Sequence, residues 1–406
     1  MRILIIADVY PPEVSSAANL IQELAHGLAA KGDEVVVATT HPKHYLADKS
    51  LANKFGEFMD EGGVKVIRVK TPPLKKINFI IRGISQLLLP FLVFRKVKKY
   101  VGENLDGVMV YSPPVTLPIA GALVKRKYGA KFMLNLQDIF PQNAVDLGIL
   151  KNGLAIKFFE AIEKFAYRSA DVITFHSAGG RKFLVEKKNV PEKRIVTLEN
   201  WVDLGEYGKP AKKDFRKIYG LEGKKIFLFA GIMGPAQGME FLMEVANRVK
   251  DLEDISFLLA GDGMEKPKVL SAIKRYGLKN VSVQDFVSKE DYPDLAAIAD
   301  VGVVCLSSQN KTPFVPGKFL GYMAAGKPVL AFLNKESDAF ELVAKTNCGF
   351  TTVAGNIEAA ENVVRKLAGM SSEELSLMGR RGREYAESNL SLGSAVDKVR
   401  NLLSRE

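Results

Sequence analysis

Short apolar runs alternate with helical patterns along the whole chain. The runs Arg2 to Ala7, Val35 to Thr39 and Val64 to Val69 are typical of strands buried in a parallel sheet. Between the first two runs, Ser15 or Ser16 can cap a helix. Its predicted apolar face consists of Ala17, Leu20, Ile21, Leu24, Ala25 and Leu28. This βαβ opening predicts an α/β protein, and the absence of a G-x-G-x-x-G fingerprint argues against a dinucleotide site.

The same alternation continues through the second half. Further strands are predicted at 107–110, 131–136, 171–175, 194–198, 226–230, 256–260, 281–283, 301–306 and 329–332. A stretch rich in Gly, Pro and Lys, residues 200–225, separates two series of elements and predicts a linker. A chain of 406 residues suits two domains. We predict Rossmann-like α/β/α domains at 1–200 and 201–390, with a helix at 391–406 that packs back on the first domain.

The stretch Val301 to Phe332 combines a strand, a long loop, a short helix and another strand. Pro316 and Gly317 are predicted to open the helix, so its first amides, which are free of partners within the helix, would lie at the carboxyl end of a buried strand. Lys318 adds a full positive charge there, and the stretch therefore predicts a phosphate site. The alternative is an ordinary connection with a solvated lysine.

Two other loops follow predicted strands in this half. One contains Gly231, Gly234 and Gln237 within GIMGPAQG, and the other is Gly261-Asp262-Gly263. Each alone is more typical of a structural turn, although glycines allow a ligand to approach the backbone closely. Together with Lys318, they predict one ligand site at the carboxyl ends of the strands.

The net charge of +11 lies almost entirely in the first half, where residues 1–200 hold 29 Lys and Arg against 19 Asp and Glu. Residues 62–102 contain ten basic side chains and no acidic one. The apolar segment Phe79 to Phe94 lies within this block and is too short to span a membrane. We therefore expect a helix at an anionic membrane surface, the alternative being a buried helix with a solvated basic end. The few aromatics argue against a nucleic-acid partner.

The N-terminus lacks a signal-peptide pattern, which predicts a cytoplasmic protein, peripheral at the inner face of the cell membrane. The chain contains no D-x-D triplet, so we expect no Mg²⁺ or Mn²⁺ clamp.

Five segments together resemble family 4 of the retaining glycosyltransferases: YPPE, NWVD, GIMGPAQG, GDG and PGKFLGYMAAGKPV. The resemblance covers essentially the whole chain and is greatest to bacterial O-antigen, capsule and colanic-acid enzymes. It implies the GT-B fold, in which two Rossmann-like domains face each other across a cleft. The implied donor is a nucleoside-diphosphate sugar, the implied acceptor is a lipid-linked saccharide, and no cofactor is needed.

The resemblance also implies roles for single residues. Asp138 would lie near the transferred sugar, and Pro316, Gly317 and Lys318 would lie at the donor diphosphate. Read from the residues alone, Asp138 is equally a helix cap or turn residue beside Pro141. The residues expected on the acceptor side of the cleft are Tyr10, Pro11, Ser15 and Ser16.

Three features depart from the family pattern, and each involves two positions. In the GIMGPAQG loop, Ile232 and Gln237 replace the usual Arg and Lys. In the first loop, Ser15 and Ser16 replace the usual glycine pair. Pro313 and Gly321 occupy the positions where the family has its paired glutamates. If position 321 faces the donor ribose, Gly321→Glu should raise both the melting temperature and the donor affinity.

Two alternatives to a transferase remain. One is a sugar-nucleotide epimerase on the same two-domain plan, although the expected cleft offers few acid-base residues. The other is a donor-site-impaired paralogue that acts as a scaffold, which the glycine at 321 would allow.

Overall fold

The computed structural model describes residues 1–42, 46, 50, 54–71 and 79–404, and for 79–84 only the backbone. The chain divides into two compact units. The first consists of Met1–Asn200 with Leu392–Glu406, and the second of Trp201–Ser391. Each unit is built on its own sheet, with helices between successive parallel strands. The predicted α/β class with two Rossmann-like domains is therefore confirmed.

The strands follow the predicted apolar runs, with boundaries that differ by one or two residues. They are β1 (Arg2–Ile6), β2 (Glu34–Thr40), β3 (Phe58–Glu61), β4 (Val64–Val69), β5 (Gly107–Ser112), β6 (Lys131–Leu136), β7 (Val172–Phe175), β8 (Ile195–Thr197), β9 (Lys225–Ala230), β10 (Ile255–Ala260), β11 (Val281–Gln284), β12 (Val301–Cys305), β13 (Val329–Leu333) and β14 (Gly349–Val353). Two of them, β3 and β14, were not predicted.

The helices fill the intervals between the strands. They are α1 (Ser16–Ala30), α2 (Phe79–Tyr100), α3 (Pro118–Tyr128), α4 (Gln142–Asp146), α5 (Gly153–Ser169), α6 (Ala178–Lys188), α7 (Phe215–Ile218), α8 (Met239–Arg248), α9 (Lys266–Tyr276), α10 (Tyr292–Ala297), α11 (Lys318–Ala324), α12 (Ala339–Thr346), α13 (Ile357–Gly369), α14 (Ser372–Asn389) and α15 (Leu392–Leu403). No helix in the described part of the chain is both long and apolar enough to span a membrane.

The sheet of the first unit has the order β3-β4-β2-β1-β5-β6-β7-β8. All neighbours are parallel except β3 and β4, which form a hairpin. Strand β3 was missed because its residues are polar or exposed. Gly62 and Gly63, with φ of 66° and 85°, provide the turn, and a Gly-Gly pair before an apolar run was the available signal.

Helix α15 belongs to the first unit, where it packs against α1. The Arg400 guanidinium donates to the Asp33 carboxylate at 2.7 Å, and the N-terminal ammonium donates to the same carboxylate at 2.8 Å. At Gly27, a Cβ would lie 2.6 Å from the Val396 side chain, so the glycine allows the two helices to approach closely. The C-terminal segment is thus part of the packing of the first unit.

The second unit has a sheet of six parallel strands in the order β11-β10-β9-β12-β13-β14. Successive strands are added from β9 to β11 towards one edge of the sheet, and from β12 to β14 towards the other edge. The β9–β12 boundary is therefore the topological switch point, where ligands of such sheets usually bind beyond the carboxyl ends of the strands.

Acids from outside the basic block at 62–102 pair with several of its cations. Arg68 is 1% exposed and forms an ion pair with Glu61, so it does not face an anionic surface as predicted. Lys96 and Lys99 both pair with Glu57. Lys75 and Lys76 lie outside the described residues, as does the side chain of Arg82. The sequence count of ten cations therefore overstates the free positive charge of this block.

Candidate functional site

Strands β9 and β12 separate towards their carboxyl ends. They pair at Val301 with Phe227 and at Gly302 with Leu228, although β9 continues to Ala230. The buried Tyr322 hydroxyl lies beside the unpaired stretch, donating to the Leu228 carbonyl at 2.7 Å and accepting from the Ala230 N–H at 3.1 Å. Tyr322 thus replaces the missing ladder bonds and fixes helix α11 to the end of β9.

Gly302 makes room for this tyrosine, since a Cβ there would lie 2.3 Å from the Tyr322 ring. Neither the tyrosine nor its glycine partner was singled out from the sequence.

Removal of the Tyr322 hydroxyl should destabilise the protein. In Tyr322→Phe, the Ala230 N–H and the Leu228 carbonyl lose their partner inside the protein. We expect the free energy of unfolding to fall by ~1–3 kcal/mol in a urea titration. The matched control is Tyr276→Phe, which removes a hydroxyl that accepts a hydrogen bond from the neighbouring exposed Arg275. Equal stability of the two variants would contradict the assigned role.

The loops after β9 and β10 are bonded to each other through their backbones. Gly231 N–H donates to the Ala260 carbonyl, and Met233 N–H donates to the Asp262 carbonyl, both at 2.9 Å. A Cβ at Gly261 would lie 1.9 Å from the Gly231 carbonyl oxygen. At Gly263, φ is +151° and a Cβ would lie 2.3 Å from the Met233 carbonyl oxygen. Gly261 and Gly263 are therefore required by this loop packing.

Gln237 closes the first loop on itself. The side-chain Oε1 of Gln237 accepts from the Gly234 N–H at 3.0 Å. The backbone N–H of Gln237 donates to the Gly234 carbonyl, also at 3.0 Å. The same loop bonds to the segment after β12, because the Ser307 N–H donates to the Ala236 carbonyl at 2.9 Å. The loop thus extends from the end of β9 to the end of β12.

Lys318 directs its amine towards this loop. Its Nζ lies 4.7 Å from the centroid of the Phe229 ring, and a Cβ at Gly231 would lie 3.2 Å from Nζ. Within the described parts of the chain, the amine has no hydrogen-bond or ion-pair partner. Burial lowers the pKa of the Lys318 ammonium to about 8. A half-buried cation without a counterion favours the binding of an anion.

The start of helix α11 differs from the prediction. The Phe319 N–H donates to the Pro316 carbonyl at 3.1 Å, and the Leu320 N–H donates to the Gly317 carbonyl at 3.2 Å. These two amides are therefore engaged, contrary to the expectation that the first amides of the helix are free. The positive character of the site consequently rests on Lys318 more than on the helix start.

Gly321 does not offer an open position for a glutamate. A Cβ built on it would lie 2.4 Å from the Tyr292 hydroxyl and 2.8 Å from the nearest ring carbon. Burial also raises the pKa of Tyr292, so the phenol remains neutral. The tyrosine fills the space that a side chain would need, so the geometry argues against the expectation that Gly321→Glu raises the melting temperature.

A second polar group lies in the first unit, near the boundary between β1 and β5, where the order in which the chain adds strands reverses. Asp8 follows β1, Tyr111 lies in β5, and Asp138 follows β6. Burial, together with the negative charges of Asp138 and Asp8, raises the pKa of Tyr111. Partial desolvation raises the pKa of Asp138, although its side chain still reaches solvent. Asp8 and Tyr111 were not singled out from the sequence.

The segment before Asp138 is held by a chain of amide contacts. Gln137 Nε2 donates to Asn135 Oδ1 at 2.7 Å, and Asn135 Nδ2 donates to Thr174 Oγ1 at 3.0 Å. Gln137 also exchanges hydrogen bonds with Asn200 at 2.8 and 3.0 Å. These contacts fix the backbone from which Asp138 projects.

The predicted acceptor loop is only partly available to a ligand. Tyr10 is 2% exposed, and Pro11 offers its carbonyl to the Arg68 guanidinium at 2.8 Å. Ser15 caps α1, where its Oγ accepts from the Ala18 N–H at 3.1 Å. Of the four residues, Ser16 is the one with an exposed side chain. Arg68 therefore holds this loop in place.

Across the described residues, no group of three or more His, Cys, Asp or Glu side chains could hold a metal ion.

The architecture of two parallel-sheet units matches solved GT-B glycosyltransferases. Sucrose-phosphate synthase from Thermosynechococcus elongatus aligns with a TM-score of 0.78 at 16% identity, over 99% of this chain and 98% of that chain. Anabaena HepE, solved in complex with UDP and glucose, aligns with a TM-score of 0.73 at 16% identity over 99% of both chains. These likenesses establish the fold class.

The family follows from the sequence comparisons. Residues 17–201 match the family described as Glycosyl transferase 4-like domain, and residues 224–369 match Glycosyl transferases group 1. WbjE of Pseudomonas aeruginosa, named a probable glycosyltransferase, is 27% identical over 82% of this chain and 84% of its own length. WcaI of Escherichia coli K12, whose name assigns it to colanic acid biosynthesis, is 24% identical over 80% and 82%. The chain belongs to the family 4 glycosyltransferases, as its motifs predicted.

Proposed function

We propose that this protein transfers a sugar from a nucleoside-diphosphate sugar to a lipid-linked saccharide during cell-surface polysaccharide biosynthesis, with retention of anomeric configuration. The observation that carries the proposal is the amine of Lys318, which has no counterion among the described residues and faces the loop at the switch point of the second unit. The donor diphosphate supplies the missing negative charge. HepE binds UDP and glucose, and WcaI is named for a polysaccharide pathway, which supports the same class of reaction.

In the proposed reaction, Lys318 neutralises the charge that develops on the departing diphosphate. The acceptor hydroxyl attacks the sugar on the face from which the diphosphate leaves, and a diphosphate oxygen takes its proton. We assign to Asp138 a polar contact with the transferred sugar. The remaining donor contacts are assigned to the loops that follow β9 and β10, and no metal is required.

Incubation with radiolabelled nucleotide sugars tests this proposal. A transferase should hydrolyse its donor slowly without acceptor, and NMR of the released sugar should show the anomer of the donor. A donor-site-impaired scaffold would release none, and an epimerase would return an isomeric nucleotide sugar.

Nucleoside-diphosphate binding should weaken as the pH rises above about 8. Lys318 has a pKa of about 8 in the free protein, so it is charged near neutrality and loses its proton above that pH. Because a diphosphate binds the charged form, the dissociation constant should rise by roughly tenfold per pH unit above that point. Calorimetry with UDP at several pH values measures this. Lys318→Arg, if it binds, should give a flat profile, whereas a flat wild-type profile would contradict the assignment.

A further inference from the structure

Helix α5 carries apolar side chains on both of its sides. Its inner side is buried in the first unit through Phe159, Ala166 and Tyr167. On the outer side, Leu154, Phe158 and Phe165 are 80%, 48% and 46% exposed. They follow helical spacing, with Ala161 completing a stripe ~16 Å long. A continuous apolar stripe on the exposed side of a helix marks a surface that binds a membrane or another protein.

The stripe continues onto helix α3. A groove of about 390 Å³ lies between the two helices and is lined by Ile119, Ala122, Leu123 and Phe165. Helix α2 packs against α3 on the side away from α5 and exposes Leu88 and Phe91. We call the outer faces of α3 and α5 the α3–α5 surface.

Cations surround this surface. The exposed side chains are Arg126, Lys127, Lys151, Lys157, Lys164 and Arg168. In the described part of the chain, none of the six forms an ion pair. Glu160 is the exposed acid on α5, and Glu163 is buried against Lys188. Among the described residues, this surface therefore carries more unpaired cations than the block at 62–102, where Lys65, Arg68, Lys96 and Lys99 are paired.

We infer that the α3–α5 surface docks on an anionic lipid bilayer. Apolar side chains between unpaired cations fit the boundary between headgroups and acyl chains. A second copy of the same surface would bring the two sets of cations together, so charge favours the bilayer over self-association. The purpose of docking rests on the proposed lipid-linked acceptor, but the binding itself requires no turnover.

Vesicle sedimentation tests this inference with the whole protein. Vesicles of equal parts phosphatidylglycerol and phosphatidylcholine should bind it, and high salt should release much of it. The variant Leu154→Ser/Phe158→Ser should lower the partition coefficient by ~10-fold or more. Its control is Leu270→Ser/Leu377→Ser, which changes two leucines of the second unit that are 44% and 47% exposed. The control should bind as the wild type does.

The charge contribution is measured in the same assay. Lys157→Glu/Lys164→Glu should lower the partition coefficient by ~10-fold or more, whereas Lys250→Glu/Lys274→Glu in the second unit should leave it unchanged. No binding by the wild type, or equal binding by the α5 variants and their controls, would overturn the inference. So would a fall in oligomer mass in the leucine and phenylalanine variant without any change in vesicle binding.

The outcome is independent of the proposed reaction. Protein that binds vesicles through α5 but binds no nucleoside diphosphate would keep this inference and refute the proposed function. Protein that binds a nucleoside diphosphate but does not bind vesicles would keep the proposed function and refute this inference.

Discussion

Replacement of Lys318 by Ala is expected to lower turnover by ~10²-fold or more, which is the scale of losing one donor to charge that develops in the transition state. The amine faces the loop at Gly231, and none of the described residues pairs with it. It therefore has no structural ion pair to lose. The variant should fold normally, and the loss should appear in kcat as well as in donor affinity.

Lys327→Ala is the matched control for this experiment. Lys327 lies just beyond the other end of α11, burial also lowers its pKa, and its amine donates to the Ala297 carbonyl at 2.6 Å. It should leave turnover unchanged. If Lys318→Ala stays within a few-fold of the wild type, the amine is an ordinary half-buried lysine and the leaving-group assignment is incorrect.

Gly321→Glu is expected to destabilise the protein by ~1–3 kcal/mol or more, the scale of overpacking a well-packed interior. The first atom of the new side chain would meet the Tyr292 hydroxyl and ring, so either the tyrosine or helix α11 must move. Because α11 also carries Lys318 and Tyr322, a shift should weaken nucleoside-diphosphate binding too. Urea titration and calorimetry measure the two effects.

A double-mutant cycle isolates the cause. Gly321→Ala should be destabilising alone, but in a Tyr292→Ala background it should gain ~1 kcal/mol, because alanine is the better helix residue once space is available. If Gly321→Ala stabilises the protein while Tyr292 is present, the tyrosine yields easily and the packing argument fails.

The sequence predicted the features that are set by neighbouring residues, namely the strands and the glycine-containing loops. Apolar runs located twelve of the fourteen strands, because buried parallel strands differ sharply from the helices between them. Glycine positions located the loops after β9 and β10, although the structure shows that Gly261 and Gly263 are required for packing between loops. Strand β3 was missed because it is exposed, and an exposed strand lacks the apolar alternation on which the prediction relied.

Contacts between distant residues could not be predicted. Tyr322 bonds to β9 more than ninety residues earlier in the chain, and Tyr292 occupies the space at Gly321 from a different helix. The charge of Arg68 could be counted, but its burial against Glu61 depends on a hairpin that was not foreseen. The exposed stripe on α5 is similar, since its spacing is visible in the sequence but the choice of buried face is made by the fold.

A nucleoside diphosphate is expected to bind at the switch point of the second unit, beside Lys318. Hydrogen-exchange mass spectrometry with UDP, GDP or ADP in EDTA tests it most directly. With at least one of them, exchange should slow in residues 231–238 and 316–321 of the wild type, and much less in Lys318→Ala. No protection with any of the three, or protection confined to the first unit, would contradict the account.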